Sequence, residues 1–172
     1  MESDFLDLIA FVLKVPGLQF SVGGVLGFLL SRYTRTKGEK DVYDQRLFDN
    51  SDRLKRSKDE KYRTFVVALQ ATIQAKENAS VTLNDFHRLA TSGDLYFSEL
   101  RNIADACLTG QVNKVSRDNT FVPALVEAVE KSLPAFYRTL GKISADLGGR
   151  YDAELRVDNY LSIYRAVEKF RA

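Results

Sequence analysis

The longest uncharged stretch of the chain is strongly apolar and ends abruptly at a basic segment. It covers residues 15–31, about seventeen positions at a helical rise of about 1.5 Å each, and apolar residues before it extend its reach toward the ~30 Å of a hydrocarbon core. Four basic residues follow it: Arg32, Arg35, Lys37 and Lys40. We predict a single transmembrane helix at residues 15–33, separated by Pro16 from a short interfacial segment at residues 1–14.

The charges on the two sides of this stretch predict its orientation. Glu2, Asp4 and Asp7 precede it and the basic residues follow it, which is the reverse of a secretory signal peptide. Because basic residues stay on the cytoplasmic side, we expect the N-terminus outside and the C-terminal domain in the cytoplasm, at a bacterial-type inner membrane. The basic flank would face anionic lipid, although a topology signal on a solvated helix explains it as well. A buried helix of a soluble protein is the alternative for the apolar stretch itself.

Small residues recur at every fourth position inside the predicted span. Gly23, Gly27 and Ser31 would share one helix face, and such faces let two helix backbones approach closely in lipid. We therefore expect the span to form homo-oligomers through this face. The alternative is that glycine is simply frequent in membrane helices.

After the span, apolar residues recur at spacings of three and four, which predicts helices almost throughout. Residues 34–61 are densely charged and predict a basic stalk helix, interrupted near Asn50-Ser51. Residues 62–172 predict a cytosolic helical domain whose core begins at Tyr62. The expected fold class is all-α, with an N-terminal single-pass transmembrane helix followed by a cytosolic helical bundle.

Capping, glycine and proline signals divide this domain. Thr82 and Asp85 form a capping-box pattern for a short helix that Gly93 would end. A second helix is predicted at residues 94–108, and its buried side would consist of Leu95, Leu100, Ile103, Ala104 and Cys107. Gly110 would close that helix, and residues 111–120 are polar and predict the longest loop of the domain.

Prolines and glycines organise the C-terminal part. Pro123 is predicted in the first turn of a helix, and Pro134 either kinks that helix or starts a new one that runs to about Leu147. Gly148-Gly149 predicts a turn, and residues 151–170 predict the last helix.

Composition narrows the function classes. With 25 basic and 23 acidic residues in 172, the chain has no global charge for binding duplex nucleic acid. His87 is the single histidine and Cys107 the single cysteine, so no histidine–cysteine zinc cage and no intramolecular disulfide can form. A surface histidine and a buried cysteine are favoured over a catalytic pair. Phosphate-loop and nucleophile-elbow motifs are absent, and we expect a protein without enzymatic activity or a cofactor.

The polar segment 113–120 is the best candidate for a ligand site. Lys114, Arg117 and Asn119 would lie just before the predicted Pro123 helix, where backbone N–H groups and the helix dipole favour negative charge. An ordinary loop, with Asp118, Asn119 or Thr120 as the helix cap, is the alternative.

This layout of a short glycine-containing anchor, a basic flank and a small helical domain resembles the membrane-anchored effectors of type III CRISPR antiviral systems. The resemblance implies that a cyclic oligoadenylate binds the cytosolic domain of an oligomer and switches its membrane part. The expected function is therefore a membrane-anchored sensor or effector that binds an anionic ligand, with a cyclic oligonucleotide as the best guess. The alternative is a constitutive inner-membrane anchor or scaffold for a protein partner.

Overall fold

The computed structural model describes the backbone of residues 19–149, 151 and 154–171, and the side chains of these residues from Thr36 onward. The described part contains helices and no β-strand, so the predicted all-α class is confirmed. We label the α-helices α1 (Gln19–Glu77), α2 (Leu83–Leu108), α3 (Lys114–Ser116), α4 (Val122–Glu127), α5 (Leu133–Asp146) and α6 (Leu161–Phe170). Two π-helical turns, Arg117–Phe121 and Ala128–Ser132, flank α4, and the 3₁₀ turn Val157–Tyr160 precedes α6.

The chain divides into two compact units, Met1–Gln45 and Arg46–Ala172. In the first unit, the predicted interfacial segment and residues 15–18 of the predicted span lie outside the described residues. Gly23, Gly27 and Ser31 are helical residues of α1, and Lys37 and Lys40 of the basic flank are exposed. Within the residues that the structure describes, none of the helices has a segment with the length and apolarity needed to cross a bilayer.

Helix α1 joins the core of the second unit earlier than Tyr62, where we expected the core to begin. Ser51 and Leu54 are already buried, whereas Tyr62 is half exposed. The helix also continues through the break predicted at Asn50-Ser51. Ser51 Oγ donates to the carbonyl of Leu47 at 2.7 Å and accepts the N–H of Asn113 at 3.0 Å, so both hydrogen bonds of this buried hydroxyl are satisfied within the bundle.

Aromatic rings from four elements form the centre of the second unit. Phe97 of α2 is fully buried, and its ring lies 5.8 Å from Phe65 of α1, 5.2 Å from Phe136 of α5 and 6.2 Å from Tyr160. Each buried phenylalanine contributes about 1.5–3 kcal/mol through the hydrophobic effect. Edge-to-face and tilted pairs add about 0.5–1.5 kcal/mol. This cluster fixes the positions of α1, α2 and α5 relative to one another.

The predicted break at Gly93 is wrong, because α2 runs through it without interruption. Gly93 is buried, and a methyl group on its Cα would overlap the ring of Phe136. This glycine therefore serves close helix packing and does not end a helix. The capping box at the start of α2 is confirmed, since Thr82 and Asp85 bond reciprocally. Leu95, predicted on the buried side, is half exposed.

The predicted loop at residues 111–120 is also wrong, because the chain is helical again from Lys114. Asn113 caps this start, its Oδ1 accepting the N–H of Ser116 at 2.8 Å. None of the three expected capping residues, Asp118, Asn119 and Thr120, caps a helix, because all three lie inside the first π-turn.

Both π-turns end two residues before a proline, and the residue directly before each proline donates the last π-type hydrogen bond. Val122 donates its N–H to the carbonyl of Arg117, and Leu133 donates to Ala128, which is the five-residue spacing of a π-helix. A proline has no N–H for the regular four-residue bond and crowds the carbonyl four residues earlier. The wider turn accommodates that crowding, so helical bonding continues from α4 through the second π-turn into α5, with Pro134 in the first turn of α5.

Three helices of the second unit end in the same way, with a residue of positive φ that lets two N–H groups reach back to helix carbonyls. Gly110 and Gly148 hold this position after α2 and α5, which confirms the predicted helix end and turn. After α1 the position is held by Ala79, with φ 51°. The last helix is shorter than predicted and begins at Leu161, because residues 154–159 include four charged or amide side chains on a largely exposed segment and offer little apolar surface to stabilise further turns.

Candidate functional site

The two residues most suited to catalysis lie in different environments. His87 is exposed, and Cys107 is buried among apolar residues of α2, as expected. Burial raises the pKa of the Cys107 thiol to about 11, so the reactive thiolate is scarce at neutral pH. No group of three or more histidine, cysteine or carboxylate side chains suited to a metal ion occurs within the described part of the chain.

The predicted ligand residues lie on a helical segment. Lys114 and Asn119 are exposed, and Arg117 is partly buried at the start of the first π-turn. No free helix N-terminus exists at Pro123, because the N–H of Val122 is bonded to Arg117 and the segment before it is helical. The dipole argument for an anion site at that point therefore fails. Arg117 alone of the three lines a groove of the bundle.

This groove has a volume of about 970 Å³. Its apolar floor comes from α4, with Val122, Pro123 and Val126, and Phe170 at the end of α6 closes one side. The two π-turns bound α4 and contribute side chains to the groove at both of its ends. We call it the α4 groove. π-Helical turns are often found at functional sites, because the extra residue redirects neighbouring side chains.

Charged side chains surround the floor of the α4 groove. Four are cationic and three are acidic, namely Arg117, Lys131, Lys169 and Arg171 against Asp118, Glu127 and Glu130. The guanidinium of Arg117 donates from Nε to Asp118 Oδ1 at 2.7 Å and lies 4.6 Å from the centre of the Phe170 ring. These hydrogen bonds raise the pKa of Arg117 and lower that of Asp118.

A second ion pair connects two elements across the groove. Arg171, directly after α6, donates to Glu130 of the second π-turn, with 2.7 Å between Nη2 and Oε1. Lys169 Nζ lies 5.2 Å from the Phe170 ring centre. Among the described side chains, Lys131 and Glu127 have no ion-pair partner within 4 Å. Of the four cations that line the groove, Arg117 and Arg171 are ion-paired, whereas Lys131 and Lys169 have no ion-pair partner among the described side chains.

A buried ion pair lies elsewhere, between α1 and α2. Lys61 Nζ is 2.5 Å from Glu99 Oε2, and the Glu99 side chain is only 6% exposed. Burial alone raises the pKa of Glu99, but hydrogen bonds from Lys61 and Ser57 together with the Lys61 charge outweigh it and lower the pKa below 4.5. Asn102 also donates to Glu99 at 3.4 Å. This fully bonded pair fixes the register of α1 on α2.

Sequence reasoning missed this pair and most of the α4 groove. Lys61 is the last residue of the predicted stalk helix, although Glu99 stands among apolar positions of α2 and a charge there indicates a buried partner. The groove pairs an apolar floor with cationic side chains, the combination that holds an anionic ligand carrying an apolar ring. A comparison of the chain with protein-family models, curated proteins and solved structures found no match.

Proposed function

We propose that the chain is a non-enzymatic, membrane-anchored sensor or effector whose helical bundle binds an anionic ligand in the α4 groove. The observation that carries this proposal is the set of four cationic side chains around an apolar floor. The ligand we propose is a cyclic oligonucleotide second messenger of antiviral defence, since it combines phosphates with apolar ring faces. Its bases would pack on Pro123 and Val126, and its phosphates would bond Lys131 and Arg171.

To change the membrane segment, the ligand would have to bind one arrangement of the protein more tightly than another. A ligand shifts such an equilibrium only by its difference in affinity for the two states. Helix α1 contains Phe65 of the aromatic core and, near its start, Gly23, Gly27 and Ser31. We propose that this helix relays occupancy of the groove to an oligomeric membrane segment.

Ligand-induced stabilisation of the full-length protein in detergent tests the binding step. A ligand at 100 times its dissociation constant adds about 2.7 kcal/mol of stability, which thermal unfolding detects readily. The panel should contain cyclic di-, tri- and tetranucleotides together with linear nucleotides. Absence of a shift with every member would refute the proposal.

Two charge reversals locate the site. Lys131→Glu, inside the α4 groove, should weaken binding at least about tenfold, because a charged hydrogen bond of about 1.5–3 kcal/mol is lost and a repulsion is added. Lys114→Glu is the matched control, since Lys114 is exposed but does not line the groove. A larger loss of affinity with Lys114→Glu than with Lys131→Glu would indicate that the ligand binds at the segment 113–120 predicted from the sequence.

The membrane step has its own test. Replacing both Gly23 and Gly27 with leucine should lower crosslinking between copies in membranes, because the larger side chains separate the helix backbones. Unchanged crosslinking would remove this face from the proposal.

A constitutive scaffold for a protein partner is the second candidate. Large apolar side chains on α1, among them Tyr43, Phe48 and Val67, are more than half exposed, as expected of a helix that another protein covers. Crosslinking in native membranes distinguishes the two candidates. A partner trapped equally well from cells with and without the nucleotide signal would favour the scaffold.

A further inference from the structure

The α4 groove holds carboxylates as well as cations, so an anionic ligand would compete with the carboxylates for the cationic side chains. We infer that Glu130 acts as an internal competitor for anionic ligands, occupying Arg171 until a ligand displaces it. This inference rests on the proposed function and adds a means of regulation to the same site.

The Glu130–Arg171 pair is suited to exchange. Its two side chains are 42% and 58% exposed, and exposed ion pairs contribute little stability because water and salt screen them. A phosphodiester offers a guanidinium two hydrogen bonds in the same geometry as a carboxylate, and a ligand with several phosphates brings several such groups to the groove. A ligand phosphate can therefore replace the carboxylate without breaking any buried contact.

The other pair in the groove is less exchangeable. Arg117 and Asp118 are adjacent in sequence, so their contact survives most local movements. The Arg117 side chain is only 25% exposed and also packs on Phe170. We therefore assign Arg117 to holding the Phe170 wall and Arg171 to the exchange.

Exchange at Arg171 would also change how two elements are joined. Glu130 belongs to the second π-turn, and Arg171 directly follows α6. Ligand entry would replace a direct contact between these elements with one made through the ligand. The end of α6 would then report whether the groove is occupied.

Glu130→Gln tests the inference, with Glu127→Gln as the matched control. Both substitutions remove one negative charge from the same groove, but Glu130 is ion-paired and Glu127 is not paired among the described side chains. Using the full-length protein and titrations with cyclic tetra-adenylate and inorganic pyrophosphate, we expect Glu130→Gln to tighten binding about fivefold and Glu127→Gln less than about twofold. The double variant with Arg171→Gln should lose the gain.

The outcomes separate the two levels of the proposal. Equal gains in affinity from both glutamine variants, or a gain in affinity that persists in the double variant with Arg171→Gln, would refute the competition by Glu130. Such a result would still support anion binding in the groove. No binding by the wild type or any variant, each with an unchanged circular dichroism spectrum, would overturn both. Binding by Glu130→Gln alone would support the inference in its strongest form.

Discussion

Replacement of Lys61 by methionine isolates the buried ion pair between α1 and α2. Methionine keeps the length and helix propensity of lysine but removes the charge from Glu99, which is almost fully buried. Removing one partner of a fully buried pair costs about 3–5 kcal/mol. Since Lys61 is 34% exposed, water already screens part of the attraction, and we expect a loss of about 2–3 kcal/mol.

The pH dependence gives this prediction a second, independent readout. The lowered pKa of Glu99 means that its contribution to stability is present above about pH 4.5 and is lost as the pH falls through the folded-state pKa. Without Lys61, burial raises the pKa, so the carboxyl takes up a proton more readily. The difference in stability between wild type and variant should therefore shrink as the pH falls from 7 to 4.

Urea unfolding of the full-length protein, followed by circular dichroism at several pH values, measures both effects. Lys76→Met is the matched control, because its ion pair with Asp146 is half exposed on both sides and should contribute less than about 1 kcal/mol. Equal losses for the two variants, or a loss for Lys61→Met that does not change with pH, would refute the assignment of Glu99 as a buried charge that depends on Lys61.

Three further predictions concern single positions. Gly93→Ala should destabilise the bundle by about 1–3 kcal/mol in urea unfolding, because the added methyl meets Phe136; a neutral result would show that the helices can separate there freely. Ala79→Gly should raise stability by about 0.5–1 kcal/mol and Gly110→Ala should lower it similarly, since both positions have positive φ; opposite signs would contradict the helix-end assignment. Cys107 should react with a thiol reagent only after unfolding, because its buried thiol has a pKa of about 11; rapid labelling of the native protein would contradict its burial.

Local signals explain what the sequence could predict. The capping box at Thr82 is formed within one helical turn, and the helix end at Gly148 depends only on the positive φ of that residue. Neither feature depends on distant parts of the chain. Apolar spacing likewise identified the buried face of α2 at Leu100, Ile103 and Cys107. The all-α class followed from the same periodicity.

Longer-range packing explains what the sequence could not predict. Gly93 looks like a helix end until Phe136 is known to lie against it. The α4 groove requires the end of α6 to lie beside α4, so Arg117 could be predicted from its polar segment but Lys131 and Arg171 could not. One signal was available: the five-residue step between the buried Ala128 and Leu133 departs from α-helical spacing and indicates the second π-turn.

The π-turns also make the α4 groove sensitive to the number of residues in the segments on either side of α4. An α-helix turns about 100° per residue, so loss of one residue from either π-turn would rotate everything after it by about that angle relative to the preceding helix. A deletion within Arg117–Phe121 would thereby move Val126 away from the groove floor without changing any of its remaining residues. Variants of this protein should consequently tolerate substitutions in these turns far better than changes in their residue count.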